Sequence, residues 1–221
     1  MLAAVIFDFD GIIVDSEPMH FRAFNEALKP MDIEMTWEEY CATYIGFDDR
    51  DAFRAILKAH NQKHSSRDLK HLIEQKAKVF QTFVQNGEAT PLPGAVELIK
   101  SIPVRLPVAL CSGALREDID PILEKLGIDS AFSVIVTAED TPKSKPDPAP
   151  YRLTLEKLGI SDPATAIAIE DTPAGIMSAK RAGLKVLAVT NSYDHEFLLE
   201  ADAVTDSLEK VSRPDLENIV L

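Results

Sequence analysis

Short apolar runs that end in polar residues recur along the chain, and they constrain its fold more than any other feature. The first run is Ala3–Phe7, which ends at Asp8. Runs this short and this apolar are typical of buried strands in a parallel sheet. We predict further strands, the last of them weaker, at Val104–Leu110, Phe132–Val136, Ala164–Ile169, Leu184–Val189 and Ala201–Thr205.

Stretches with helical spacing separate these runs. Gly127, Gly159 and Gly183 follow three of them, at the left-handed position that often ends a helix. Strands and helices in alternation imply right-handed βαβ crossovers and therefore an α/β fold with a Rossmann-like, doubly wound parallel sheet. The predicted helices of this part are Ala95–Ser101, Glu117–Leu126, Ala149–Leu158 and Ala174–Arg181.

Residues 17–88 interrupt the alternation, because they contain no clear strand pattern. Pro91-Leu92-Pro93-Gly94 marks the return to it. We predict a core domain of residues 1–15 and 90–221, with a helical cap domain of residues 16–89 inserted after the first strand. Helical spacing of apolar residues occurs within the insert at Met19–Leu28, Asp51–Ala59 and Asp68–Val84.

Charge and composition narrow the function classes. The chain has 221 residues and a formal net charge of −13, which repels the phosphate backbone of nucleic acids but permits a small phosphorylated ligand beside a local cation. No apolar run reaches the length of a membrane span, and the N-terminus lacks the basic segment of a signal peptide. Cys41 and Cys111 are too few for a disulfide framework, so we expect a cytoplasmic protein.

Acidic residues stand where two predicted strands end, which is the edge of a parallel sheet where ligands bind. Asp8 and Asp10 would point the same way on an extended chain, and their repulsion requires a cation or a proton. Gly11 permits a sharp turn behind them. A solvated turn is the alternative, and a calcium loop is disfavoured because no Glu stands at the later position that such a loop needs.

A second acidic pair, Glu170 and Asp171, follows the strand predicted at Ala164–Ile169. Together with the first pair it forms an oxygen-rich set that suits Mg²⁺. The alternative is a helix N-terminus capped by Asp171. Zinc is disfavoured, because no His or Cys shares these positions.

Two further strand-end loops supply groups that a phosphoryl ligand needs. Ser112 offers a hydroxyl, and Gly113 offers an accessible backbone N–H. Lys145 lies in a turn restricted by Pro146 and could place a cation against phosphate oxygens. The alternatives are a strand-end hydroxyl and a surface lysine.

These residues carry a family resemblance that extends over essentially the whole chain. The helical insert resembles the C1 cap of the branch that contains β-phosphoglucomutase and small sugar-phosphate phosphatases, and residues 15–20 are similar to the hinge of that branch. The four motifs that resemble those of the haloacid dehalogenase-like (HAD) superfamily are Phe7-Asp8-Phe9-Asp10-Gly11, Ser112, Lys145-Pro146-Asp147-Pro148 and Ile169-Glu170-Asp171-Thr172-Pro173-Ala174-Gly175.

The resemblance implies roles for these residues. Asp8 is the nucleophile that forms an aspartyl phosphate, and Asp10 is the general acid and base. Mg²⁺ is held by Asp8, the backbone carbonyl of Asp10, and Asp171, with Glu170 in or next to that shell. An aspartate at position 10 also favours cleavage of a C–O–P linkage over dehalogenation or phosphonate cleavage. Two more groups, those of Ser112 and Lys145, stabilise charge on the transferred phosphoryl group.

In the cap, the resemblance implies substrate contacts. The segment from Gly46 to Arg50 resembles the substrate-specificity loop, and His20 and Lys76 are further candidates. An exposed position on the cap is the alternative for His20, Arg50 and Lys76, and for Lys76 it is the preferred one.

Departures from the mutase pattern favour hydrolysis. Ala114-Leu115-Arg116 stands where β-phosphoglucomutases carry a polar Ser-Lys-Asn run for the second phosphate, and Arg50 follows Gly46 by four residues rather than three. Arg116 and Arg50 remain candidates for such a contact. We therefore predict an Mg²⁺-dependent phosphatase for a small phosphorylated metabolite, with a sugar phosphate preferred. The alternatives are a phosphomutase, or a non-enzymatic phosphate-binding or receiver-like protein, and a monomer suffices because the cap belongs to the same chain.

Overall fold

The computed structural model of the protein describes residues 1–45 and 47–221. Two compact units make up the chain, one of residues 1–15 and 90–221 and the other of residues 16–89. Gly46, which the sequence analysis places in a substrate-binding loop, lies outside the described residues.

Six parallel strands of the first unit form one sheet, in the order β5-β4-β1-β6-β7-β8. β1 lies in the middle and pairs with β4 on one side and β6 on the other, with Val5 opposite both Val108 and Ile167. This order confirms the predicted α/β, Rossmann-like fold class. The strands of the described chain are β1 (Ala4–Phe7), β2 (Val14–Asp15), β3 (Thr90–Pro91), β4 (Val108–Cys111), β5 (Val134–Val136), β6 (Ala166–Glu170), β7 (Lys185–Val189) and β8 (Ala203–Thr205).

The central strands β1, β4 and β6 are buried along their whole length, as expected where helices cover both faces of a parallel sheet. The prediction that β4 begins at Val104 is wrong. Val104 is fully exposed and lies in a turn in which the Leu106 N–H donates to the Pro103 carbonyl. The strand begins after Pro107, where the chain enters the core.

The helices agree with the predicted stretches within a few residues, but two were not predicted. α2 and α9 have only 7 and 8 residues, too few for a strong periodic pattern. The helices of the described chain are α1 (Glu17–Leu28), α2 (Trp37–Thr43), α3 (Asp49–Ala59), α4 (Ser66–Gln85), α5 (Ala95–Ser101), α6 (Arg116–Leu126), α7 (Ala149–Leu158), α8 (Pro173–Ala182) and α9 (Arg213–Val220).

Every secondary-structure element described in the unit of residues 16–89 is a helix. Within this unit, α1 packs mainly against α4. A capping box starts α4, in which Ser65 and Asp68 satisfy each other's backbone N–H groups. Four α4 residues on its buried face are Leu69, Leu72, Phe80 and Val84. None of the described helices is long and apolar enough to cross a membrane.

A two-stranded antiparallel ribbon joins the ends of the first unit's two segments. β2 and β3 are antiparallel, with Val14 opposite Pro91 and Asp15 opposite Thr90. The chain therefore leaves the first unit and returns to it at neighbouring, hydrogen-bonded positions.

Candidate active site

Acidic side chains from two neighbouring strands meet at the carboxyl edge of the sheet. Asp8 directly follows β1, and Glu170 ends β6, which is paired with β1 through Phe7 and Ile169. Asp171 is the next residue, and one carboxylate oxygen from each of the three acids lies within 4.8 Å of the others. Parallel pairing thus brings together acids that are more than 160 positions apart in the sequence.

Lys145 contacts this cluster from a different loop. Its ammonium nitrogen lies 2.9 Å from Asp8 Oδ1 and 2.7 Å from Glu170 Oε1, and it donates to the carbonyl of Cys111 at 2.9 Å. Burial alone would lower the pKa of Lys145, but the charges of Asp8 and Glu170 outweigh it and raise the pKa above its usual value. The alternative of a surface lysine is therefore wrong.

The carboxylates carry more negative charge than the lysine can balance. Burial, followed by the charge of Glu170, raises the pKa of Asp8 to about 8, although Lys145 acts in the opposite direction. Asp10 is close enough for its charge to raise the Asp8 pKa further. Glu170 Oε2 is buried and accepts no hydrogen bond from any described residue. This donor set of carboxylate oxygens fits a hard divalent cation such as Mg²⁺.

Position 11 accommodates only glycine, because of both its backbone conformation and its close neighbours. Its φ of +73° is left-handed, and a Cβ at this position would lie 1.8 Å from Asp171 Oδ2. The Asn191 side-chain amide holds this turn by donating to the Gly11 carbonyl at 2.6 Å. The turn after β1 therefore approaches the second acidic segment as closely as a backbone without a side chain allows.

Asp171 does not cap the helix that follows it. The cap of α8 is Thr172, whose hydroxyl accepts the Gly175 N–H at 3.0 Å, so the capping alternative for Asp171 is wrong. The hydroxyl of Ser192 donates to Asp171 Oδ2 instead. Ser192 was not predicted, although it lies just beyond the carboxyl end of β7, where the same sheet-edge argument applies.

Ser112 and Gly113 follow β4 at the same edge of the sheet. Ser112 is buried, and its hydroxyl accepts the Ala114 N–H at 2.9 Å. Gly113 is exposed, with no atom within 4 Å of where a Cβ would lie. Arg116 begins α6, where its guanidinium pairs at 2.8 Å with Asp120 one turn further along the helix. Its charge is thus already partnered within that helix.

The unit of residues 16–89 holds a buried cation. Lys76 is only 1% exposed, so the preferred alternative of an exposed position is wrong. Its ammonium nitrogen lies 2.8 Å from Asp49 Oδ1 and 2.7 Å from His20 Nδ1. Because an ammonium group can only donate, His20 Nδ1 is the acceptor. Arg50 is exposed and has no ion pair with a described residue.

Two residues that contact the candidate site residues were not predicted from the sequence. Asp49 opens α3 and pairs with Lys76, but an acid at a helix start normally needs no further explanation. Tyr151 is buried in α7 and donates its hydroxyl to Glu170 Oε1 at 2.5 Å. A tyrosine at a core position of a helix is the signal that could have revealed it, because its hydroxyl needs a partner.

Solved structures of other proteins have a similar fold. A mutant CbbY from Rhodobacter sphaeroides, in complex with xylulose-(1,5)bisphosphate, has a TM-score of 0.90 at 25% identity, over 98% of this chain and 100% of its own. A β-phosphoglucomutase from Clostridium difficile has a TM-score of 0.89 at 24% identity, over 100% of this chain and 97% of its own. The second likeness is one of fold.

Sequence comparison gives the family. The phosphorylated carbohydrates phosphatase of Thermotoga maritima is 32% identical, over 92% of this chain and 93% of its own length. The family model for haloacid dehalogenase-like hydrolases matches residues 5–189. The predicted enzyme class, a phosphoric monoester hydrolase, is confirmed by these relatives, and the chain belongs to the haloacid dehalogenase-like hydrolase family.

Proposed function

We propose that the protein is an Mg²⁺-dependent phosphatase that hydrolyses a small phosphorylated metabolite through an aspartyl phosphate on Asp8. The observation that carries the proposal is the cluster of Asp8, Glu170 and Asp171, with Lys145 against two of the three acids. A buried nucleophile beside a cation is what phosphoryl transfer requires, because most of its catalysis is positioning and electrostatic stabilisation.

In the first half-reaction, a carboxylate oxygen of Asp8 attacks phosphorus and the bond from phosphorus to the substrate oxygen breaks. Asp10 gives its proton to the leaving alcohol. In the second half-reaction, Asp10 takes a proton from water, and the resulting hydroxide attacks the aspartyl phosphate. Inorganic phosphate leaves, and Asp8 returns as a carboxylate while Asp10 is protonated again.

Asp8, Asp171 and the backbone carbonyl of Asp10 would hold the divalent cation, with Glu170 in or next to its shell. When bound, the cation neutralises negative charge, so that a phosphoryl dianion can approach carboxylates. Lys145 adds a fixed positive charge beside Asp8. The Ser112 hydroxyl supplies a donor for a phosphoryl oxygen.

For the substrate we propose a sugar phosphate. Support comes from the names of relatives: one is a phosphorylated carbohydrates phosphatase, and a CbbY structure contains xylulose-(1,5)bisphosphate. Residues 16–89 would be the C1 cap that selects the substrate, with His20, Arg50 and Lys76 as the residues to test. A cytoplasmic monomer is part of the proposal, since one chain carries both units and Cys41 and Cys111 are free thiols.

Phosphate release from a panel of sugar phosphates and other phosphorylated metabolites tests the proposal. Wild type should release phosphate with Mg²⁺ and stop when EDTA is added, whereas Asp8→Asn should release none. The matched control is Asp129→Asn, which changes an exposed aspartate and should keep full activity. Equal release by Asp8→Asn and wild type would refute the nucleophile, and conversion of β-glucose 1-phosphate to the 6-phosphate would indicate a mutase instead.

A further inference from the structure

A tyrosine outside the four motifs contacts the site through Glu170. Tyr151 is fully buried in α7, and its hydroxyl donates to Glu170 Oε1 at 2.5 Å. The same carboxylate oxygen accepts from Lys145 Nζ at 2.7 Å. The proposed reaction steps give this hydroxyl no task, so its position calls for a separate explanation.

The surroundings of Tyr151 keep its hydroxyl protonated and place its ring against the Lys145 ammonium group. Burial, and then the charge of Glu170, raises the pKa of Tyr151 well above its usual value, which keeps the hydroxyl protonated as a donor. The ammonium nitrogen of Lys145 lies 5.1 Å from the centre of its ring, a cation–π distance. Ring and hydroxyl therefore both face the charged groups of the site.

Contacts on two sides restrict the Glu170 carboxylate. Two donors hold Oε1, while Oε2 has no hydrogen-bond partner among residues 1–45 and 47–221. Against Oε2 lies Gly175, where a Cβ would be only 1.9 Å away. A carboxylate fixed by one oxygen and closely packed at the other has little freedom to rotate.

We propose that Tyr151 is a positioning residue that fixes the Glu170 carboxylate, through Oε1, in the orientation that the cation site requires. The inference rests on the proposed Mg²⁺-dependent function. Groups that orient a metal's carboxylate shell commonly change metal affinity by 10- to 100-fold when they are removed. Loss of the Tyr151 hydroxyl leaves Lys145 as the remaining described donor to Oε1, and the carboxylate gains rotational freedom.

Calorimetric titration with Mg²⁺, without substrate, tests this role in the full-length protein. Tyr151→Phe removes only the hydroxyl and should weaken Mg²⁺ binding about tenfold. Tyr40→Phe is the matched control, because the Tyr40 hydroxyl also donates to a carboxylate, Glu17 Oε2, at 2.5 Å. This control should bind Mg²⁺ like wild type. Circular dichroism and thermal melting establish that each variant is folded.

A double-mutant cycle separates positioning from packing. In a Glu170→Ala background, Tyr151→Phe should cause no further loss of Mg²⁺ affinity, because the oxygen through which the hydroxyl acts is absent. Lower thermal stability with unchanged Mg²⁺ affinity in Tyr151→Phe overturns the inference and leaves the proposed function standing. A further tenfold loss in the Glu170→Ala background also overturns it. Absence of Mg²⁺ binding by wild type would overturn the metal dependence and the inference together.

Discussion

The ammonium nitrogen of Lys145 lies 2.9 Å from Oδ1 of Asp8, at the point where the central strand ends. The same nitrogen also contacts Glu170, so a single, largely buried cation lies between two buried acids. Their charges would otherwise face each other without compensation, which makes this lysine important for stability as well as for the proposed reaction.

Replacing Lys145 should destabilise the protein strongly. Lys145→Met leaves its acidic partners buried without a counter-charge, and we expect a loss of about 3 kcal/mol in the free energy of unfolding. Lys143→Met is the control, because Lys143 is exposed and its ion pair with Asp147 lies at the surface, so it should cost less than about 1 kcal/mol. Urea unfolding in EDTA measures both. Similar losses in the two variants would contradict a buried role for Lys145.

A parallel experiment applies to the unit of residues 16–89. Lys76→Met leaves Asp49 without its buried partner and should destabilise the unit by about 3 kcal/mol. Lys78→Met, two positions further along α4, changes an exposed side chain and should stay within about 0.5 kcal/mol of wild type. Thermal and urea unfolding check the difference. A Lys76 variant as stable as the Lys78 variant would show that the pair contributes nothing.

A methyl group at position 175 should disturb the site more than the fold. In Gly175→Ala the new Cβ would lie 1.9 Å from Glu170 Oε2, so the carboxylate must move. We expect at least tenfold weaker Mg²⁺ binding, measured by calorimetry. Gly159→Ala controls for strain, because its φ of +69° is unfavourable for alanine but no atom lies within 4 Å of the new Cβ. It should lose about 1 kcal/mol of stability and keep its Mg²⁺ affinity.

Stability without metal should fall as the pH rises. The pKa of Asp8 is about 8 in the folded protein but about 4 in an unfolded chain. The folded state therefore binds more protons between these values, and the stabilising contribution present below about pH 4 is lost as the pH rises through the folded pKa. Melting temperatures of wild type in EDTA should decline across this range, and those of Asp8→Asn should decline less. Identical slopes would contradict the raised pKa.

The fold was predictable because each strand of the sheet is a short apolar run. Burial on both faces removes the alternation of polar and apolar residues, and this leaves a signal that a single sequence shows. Element ends were less predictable: Val104 belongs to the same apolar-rich segment as β4 but lies in solvent. Short helices such as α2 and α9 depend on tertiary packing, which local spacing does not reveal.

The acids and the lysine of the site were predictable because strand ends converge in a parallel sheet. The contact of Tyr151 with Glu170 was not predictable, because tyrosines at buried helix positions occur in the cores of many proteins. Lys76 was misjudged for the opposite reason. Lysines are seldom buried. Only the fold reveals that Asp49, from another helix, forms an ion pair with Lys76.

The antiparallel pair of β2 and β3 brings together the two ends of the inserted segment. Asp15 and Thr90 face each other across one antiparallel pair, so a tight turn of a few residues is enough to reconnect the sheet after the insert is cut out. Both ends of the inserted segment therefore join the first unit at one antiparallel strand pair.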